Sequence, residues 1–190
     1  CATKRWMRQG LVPLAVLQAL GWEIPDGAEF GLYGDSHLWL PNRVRVTDDL
    51  LWLFGLYLAE GGAYGDKRRY FITFSSDDAF IRRAKGILEA HFKVRVRYVP
   101  PAPNRAPGIY VHSKALYILF ARALGLRKRI PPWVFQLPLS RLKHFLEGYR
   151  CGDGTHSGKK LGNELVFDTA SEEIAYGLVY LLLRFGIVAS

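Results

Sequence analysis

The segment from Leu50 to Ala59 is apolar at nearly every position, and a helix of that composition has no face to give to water. It must be buried on almost all sides, so the rest of the chain has to be built around it. Thr47-Asp48-Asp49 supplies its start, a capping hydroxyl followed by acids in the first turn, and Glu60-Gly61-Gly62 supplies its end. A second segment follows the same plan. Leu53-Phe54-Gly55-Leu56-Tyr57-Leu58-Ala59-Glu60-Gly61 can be laid on Leu146-Glu147-Gly148-Tyr149-Arg150-Cys151-Gly152-Asp153-Gly154, 93 residues later. Each has Leu first, small residues at the third and seventh positions, then an acid, then Gly. Gly55 and Ala59 fall one helical turn apart on one face, as do Gly148 and Gly152, and small residues at that spacing let two helix backbones approach closely. Glycine inside a helix costs about 1 kcal/mol relative to alanine, so the matched glycines predict a tight pair, one helix from each segment.

The repetition extends beyond the two helices. A helix ending in acid-Gly, a strand, Ser with two acids and another helix occur over 53–92 and again over 146–185. In the first copy Arg69–Ser75 reads as a strand, and Ser76-Asp77-Asp78 opens a helix to about His91. Lys93–Val99 alternates with period two, a proline-rich turn follows, Gly108–His112 returns as a strand, and Lys114–Leu124 is a helix closed by Gly125. In the second copy a helix from near Ser140 leads to a strand over Glu164–Thr169 and a helix from Ser171 to Phe185. The second copy stops where the first goes on into its basic hairpin. The expectation is an α+β protein with three parts: a lead-in over 1–47 containing one short helix, a first unit over 48–139, and an incomplete second unit over 140–190. Trp52 and Trp133 are expected in the core.

The acids at the two helix ends carry the chemistry. Glu60 and Asp153 sit where the helix dipole is negative, each at a cost of about 0.3–1 kcal/mol. Packing the helices side by side brings both carboxylates together and worsens the repulsion. A divalent cation between them reverses that sign, and oxygen ligands beside a phosphate suit Mg²⁺ or Mn²⁺.

Charge points to the partner. Between Ile81 and Ile130 there are twelve Lys or Arg against one acid, Glu89, on a chain whose net charge is +9, so the remainder is slightly acidic. A concentrated basic segment suggests a polyanion. Lys93, Arg95 and Arg97 share one face of the alternating run, and Val94, Val96 and Tyr98 share the other, which is the pattern of a strand packed on a core and offered to DNA. Lys67, Arg69, His112 and Lys114 are the neighbouring positions expected to contact DNA, His112 as a polar position and not as a base. No run of eighteen residues is apolar enough for a membrane span, and no signal peptide is read at the start. Cys1 and Cys151 make neither a disulfide framework nor a zinc site, so a reducing, cytoplasmic setting is expected.

These motifs resemble the paired dodecapeptide motifs of the LAGLIDADG homing endonucleases, specifically the single-chain, intein-associated kind, over about residues 48–190. The resemblance implies an αββαββα unit used twice, with the motif helices paired on a pseudo-two-fold axis in a monomer. It implies curved antiparallel sheets in the major groove of a long, asymmetric double-stranded DNA site, and a Mg²⁺-dependent cut of both strands. Glu60 and Asp153 fall on the metal-binding acid positions, although Glu60 departs from the commoner Asp. Lys128-Arg129-Ile130-Pro131 resembles the stretch that carries an active-site lysine, which assigns that role to Lys128. Two rivals stand beside this reading: a module that binds DNA or structured RNA without cutting, and an inert relic inside an intein. Cys1 begins the chain as a nucleophile would begin an intein, but Ala2-Thr3-Lys4-Arg5-Trp6 does not resemble a splicing start. Cys1 is therefore read as an ordinary residue at a fragment boundary.

Overall fold

The computed structural model describes residues 11–32, 35–66, 69–125, 128–156 and 165–189. A short helix α1 (Leu14–Ala19) and a hairpin of β1 (Glu29–Leu32) and β2 (Asp35–Pro41) come first. Leu38 of β2 is buried in the main core, while α1 buries none of its residues.

The long apolar helix forms as its sequence demands. It is α2 (Asp48–Glu60), and every residue from Leu50 to Leu58 is buried. The Thr47 hydroxyl accepts the Leu50 N–H at 3.2 Å, so the expected cap is present. Then come β3 (Gly61–Gly65), β4 (Tyr70–Ser75), α3 (Asp78–Phe92), β5 (Arg97–Val99), β6 (Gly108–His112) and α4 (Lys114–Leu124). The strands form one antiparallel sheet in the order β3-β4-β6-β5. Period-two alternation gives the sheet two unlike faces. Ile72, Phe74, Ile109 and Val111 are at most 1% exposed and turn toward the helices. Phe120 of α4 joins the layers, with ring centroids 5.0 Å from Tyr57, 5.6 Å from Phe54 and 6.3 Å from Phe74.

A 3-10 turn (Pro132–Gln136) leads into α5 (Leu139–Asp153), followed by β7 (Gly154–His156), β8 (Leu165–Phe167) and α6 (Glu172–Leu183). The second copy thus repeats the first four elements of the first. The register repeats too: Gly154 pairs with Phe167 as Gly61 pairs with Phe74. Arg184, just beyond α6, donates to the carbonyls of Phe135 and Leu137 at 2.8 Å each and so ties the end of this copy to the connection before α5.

Two local expectations are corrected. The run from Lys93 to Val99 is not one strand, since only Arg97–Val99 joins the sheet. Lys93 serves as the left-handed cap of α3, with φ 51° and its N–H on the Glu89 carbonyl, which delays entry into the ladder. The alternation survives, because Lys93, Arg95 and Arg97 are exposed between the more buried Val94, Val96 and Tyr98. The helix expected to open at Ser76-Asp77-Asp78 does start there, with Asp77 at the cap position, and the Ser76 hydroxyl donates to the Cys151 carbonyl at 3.3 Å. Trp133 is only half-buried, packed on the rim of the core, whereas Trp52 is fully enclosed. Among the described residues no helix is long and apolar enough to cross a membrane. Cys1 and Lys67 lie outside the described residues.

Candidate active site at the paired helix ends

α2 and α5 pack side by side through the four small residues. A Cβ built on Gly55 would collide with the Phe145 carbonyl oxygen, and one on Gly148 would collide with the Trp52 carbonyl oxygen. One on Gly152 would meet Ala59 Cβ and Glu60 Cγ. The backbones therefore touch at Gly55 and Gly148, while at Gly152 the Ala59 methyl fills the space a side chain would need, and only glycine permits these approaches. At the other end of the pair Arg141 of α5 donates to Asp48 of α2 at 2.9 Å and also to the Val46 carbonyl. Arg83 of α3 lies 4.1 Å over the Trp52 ring and reaches Asp49 at 3.4 Å and Glu147 at 3.6 Å, bridging the two helices from outside.

Because the helices run together, their final residues do too. The Glu60 carboxyl is pushed above its ordinary range, first by burial and then by the Asp153 charge, against which Lys128 pulls it down. The Asp153 carboxyl is also raised, first by burial; the Tyr149 hydroxyl and Lys128 oppose this, and Asp168 adds to it. The Lys128 ammonium donates to the Ala59 carbonyl at 3.0 Å. Burial lowers its pKa, while Asp153 and Glu60 hold it up. Its backbone has φ 25°, in the region a non-glycine residue seldom adopts. The three residues assigned to catalysis from sequence thus occupy one place, with Lys128 delivered by the connection before α5.

Two members of this place were not read from sequence. Tyr149 is fully enclosed one turn before Asp153, its hydroxyl makes no hydrogen bond of ordinary geometry, and burial drives its pKa upward. Asp168 follows β8, and its N–H donates to the Asp153 carbonyl at 3.2 Å. Tyr149 holds the position of an apolar residue in the first copy, Leu56, so periodicity alone reads it as core. Asp168 lies outside both motifs.

The donor set fits a hard divalent cation. Glu60 and Asp153 are carboxylates brought close at the helix ends, with Asp168 acting on Asp153, and among the described residues no group of three or more His, Cys, Asp or Glu is placed to hold a metal ion by itself. Carboxylate oxygens are hard donors and suit a hard divalent cation.

The residues expected to face DNA divide. Arg97 and His112 are exposed on the sheet face turned away from the helices, beside exposed Arg95. Neither Arg95 nor Arg97 has a salt bridge among the described residues. Lys93 is exposed at the end of α3 and not in a strand. Arg69 is 3.6 Å from Asp66, and Lys114 lies 5.0 Å over the Tyr70 ring on the helix side. Part of the basic segment balances acids within the fold, as Arg82 does with Asp78 and Lys85 with Glu89. The sequence reading also missed that Tyr64, Phe71 and Tyr110 share the open face with Arg97. All three come together only through strand pairing.

Residues 141–190 match the model of a LAGLIDADG-like domain. The chain is 35% identical over 161 residues to the replication factor C small subunit of Methanocaldococcus jannaschii, covering 78% of this chain and 8% of that protein. It is 31% identical over 157 residues to a DNA polymerase of Thermococcus kodakarensis, covering 77% of this chain and 9% of that protein. The chain therefore spans less than a tenth of the length of these relatives. Among solved structures it resembles that of I-DmoI in complex with DNA and Mn, with a TM-score of 0.58 and 17% identity over 77% of this chain and 82% of the other.

Proposed function

We infer, from a chain that is a LAGLIDADG protein in its fold and in its second motif, that its reaction is Mg²⁺-dependent hydrolysis of both strands of a specific DNA duplex. The observation that carries this reading is the meeting of Glu60, Asp153 and Lys128. Two carboxylates from helices far apart in sequence are brought together and raised by burial, with Lys128 beside them pulling both down. A bound divalent cation would supply Lewis acidity toward a phosphodiester and the charge that offsets the two acids. Glu60 and Asp153 are the residues that would hold it. Lys128 keeps a cationic donor beside both carboxylates, where it can stabilise charge developing on the phosphate or orient the attacking water. The open face of β3-β4-β6-β5 is the surface offered to the duplex.

The relatives also support a setting. A replication factor and a DNA polymerase are different proteins, yet each matches about three quarters of this chain within a small fraction of its own length. That is the signature of an inserted module, and we assign the chain to the endonuclease part of an intein embedded in a host protein. Such a module would act as a monomer on a long asymmetric site.

The test is incubation of the full chain, in Mg²⁺, in Mn²⁺ and in EDTA, with plasmids carrying the uninterrupted coding sequences of host genes. Double-strand cleavage that needs the metal and disappears in Asp153→Asn and Glu60→Gln supports the reading. Tight duplex binding with no nicking under any metal condition overturns it in favour of a binding module.

A further inference from the structure

The open face of the sheet is aromatic where a nucleic-acid surface built on cations alone would be polar. Tyr64 of β3, Phe71 and Thr73 of β4, Tyr110 and His112 of β6 and Arg97 of β5 share it, as the register Tyr64↔Phe71↔His112 and Thr73↔Tyr110↔Arg97 requires. Phe71 is the centre, with ring centroids 5.0 Å from Tyr64, 6.1 Å from Tyr110 and 5.6 Å from His112. Tyr64 is 49% exposed and Tyr110 is 38% exposed. An apolar cluster this open on a sheet is a surface awaiting a partner.

Two observations identify the partner. No Asp or Glu lies on this face of the four strands, and the exposed Arg95 and Arg97 border it without salt bridges among the described residues, so the patch is complementary to an anion. The face is also continuous with the acid pair, because β3 begins at Gly61, the residue after Glu60. Tyr64 is three residues further, about 10 Å along the strand. At about 3.4 Å per base pair the patch lies about two to four base pairs from the acids.

We propose that this face selects thymines in the half-site beneath the first copy, with Tyr64, Phe71 and Tyr110 forming a hollow for thymine C5-methyl groups and Arg97 reading an adjacent purine edge. The proposal rests on the DNA reading given above. The thymine methyl is the one apolar feature of the major-groove floor, and an apolar side chain is its match. Stacking on an unpaired base fits less well. The rings tilt by 30°, 52° and 51° from Phe71, so they present no common plane.

The experiment selects duplexes from a random double-stranded pool with the full chain in EDTA. The best binder is rebuilt with deoxyuridine for thymidine in one half at a time, which removes the methyl and nothing else. Under the first copy, each methyl removed should weaken wild-type binding about fourfold. Phe71→Ala and the milder Tyr64→Ser, on an exposed ring, should bind the thymidine duplex more weakly and lose sensitivity to the exchange. Melting curves confirm that both variants fold, and Tyr64→Ser carries the test if Phe71→Ala does not. Equal binding of both duplexes, or variants that remain as sensitive as wild type, overturns thymine selection while leaving DNA recognition intact. Preference for a single strand or for RNA of the same sequence, or no salt-dependent duplex binding, overturns the inference together with the reading beneath it.

Discussion

The Cα of Gly148 lies against the carbonyl oxygen of Trp52 with no space for a side chain between them. Gly55 lies in the same way against the carbonyl oxygen of Phe145. The two pairs are images of one another under the offset that superposes the motifs, so the helices meet about a pseudo-two-fold axis. A third glycine gives an internal control. Gly86 in α3 has open space where its Cβ would be. Gly148→Ala should therefore lower the melting temperature, by the equivalent of about 1–3 kcal/mol or more, because backbone cannot move aside as a side chain can. Gly86→Ala should raise it by the equivalent of up to about 1 kcal/mol through helix propensity. Parallel thermal melts check both, and equal effects at the two sites would mean that the helix pair is looser than its geometry requires.

The same axis explains Asp48 and Arg141, which occupy equivalent places in the two copies and bond to each other at 2.9 Å. In two identical copies like charges would meet there; divergence within one chain has made them opposite. Both side chains are more than a third exposed, so the pair is worth under about 1 kcal/mol. Asp48→Arg alone should destabilise by bringing two guanidinium groups together. The double exchange Asp48→Arg with Arg141→Asp should recover only part, since Arg141 also serves the Val46 carbonyl. Urea melts of the single and double variants measure the coupling.

What the sequence disclosed follows the range of the physics involved. Small residues at i and i+4 and an acid before Gly are local patterns, and they located Gly55, Ala59, Gly148, Gly152, Glu60 and Asp153. Lys128 came from likeness, and the fold then placed it on the Ala59 carbonyl. The aromatic face did not show, because Tyr64, Phe71 and Tyr110 come from three strands and meet only through register. The strand expected over Lys93–Val99 is too long because period-two alternation marks extended backbone and not a hydrogen-bonded neighbour. Tyr149 was hidden by its periodicity, which is that of a core residue.

Glu60 and Asp153 make stability depend on pH in an unusual direction. Both carboxyls are raised above their ordinary range, by burial first. The folded state then holds protons that the unfolded state has released, so the contribution is full below the ordinary carboxylate pKa of about 4 and is lost as pH rises through the folded values. Metal-free protein should lose stability across that window. Glu60→Gln and Asp153→Asn should each flatten the loss. Adding Mg²⁺ or Mn²⁺ near neutral pH should raise the melting temperature of wild type and leave both variants unmoved. Melting curves with and without metal, from well below the ordinary carboxylate pKa to neutrality, check this. A wild type indifferent to metal would sink the two-carboxylate site.

Lys128 makes the sharpest separation between binding and chemistry. Its ammonium is half-buried, fixed on the Ala59 carbonyl and adjacent to both acids, so it is part of the charge balance as well as a donor to a phosphate. Lys128→Met keeps the length of the stem and removes the charge. Without that cation the acids are pushed higher still, since it lowers both of them in the native protein. The metal-free variant should therefore lose stability more steeply with rising pH than wild type does. Cleavage should fall by about 10²–10⁴-fold, the range for loss of one positioned proton donor or charge stabiliser. Duplex affinity in EDTA should hold, because the open sheet face is untouched. Arg in place of Lys128 should restore the pH dependence of stability, since the charge returns, yet recover little of the rate, because the planar guanidinium cannot replace a compact ammonium at the same carbonyl. Single-turnover cleavage, binding in EDTA and melting against pH separate these outcomes. If Lys128→Met cuts at the wild-type rate, or loses rate only in proportion to lost affinity, Lys128 belongs to the scaffold and not to the reaction.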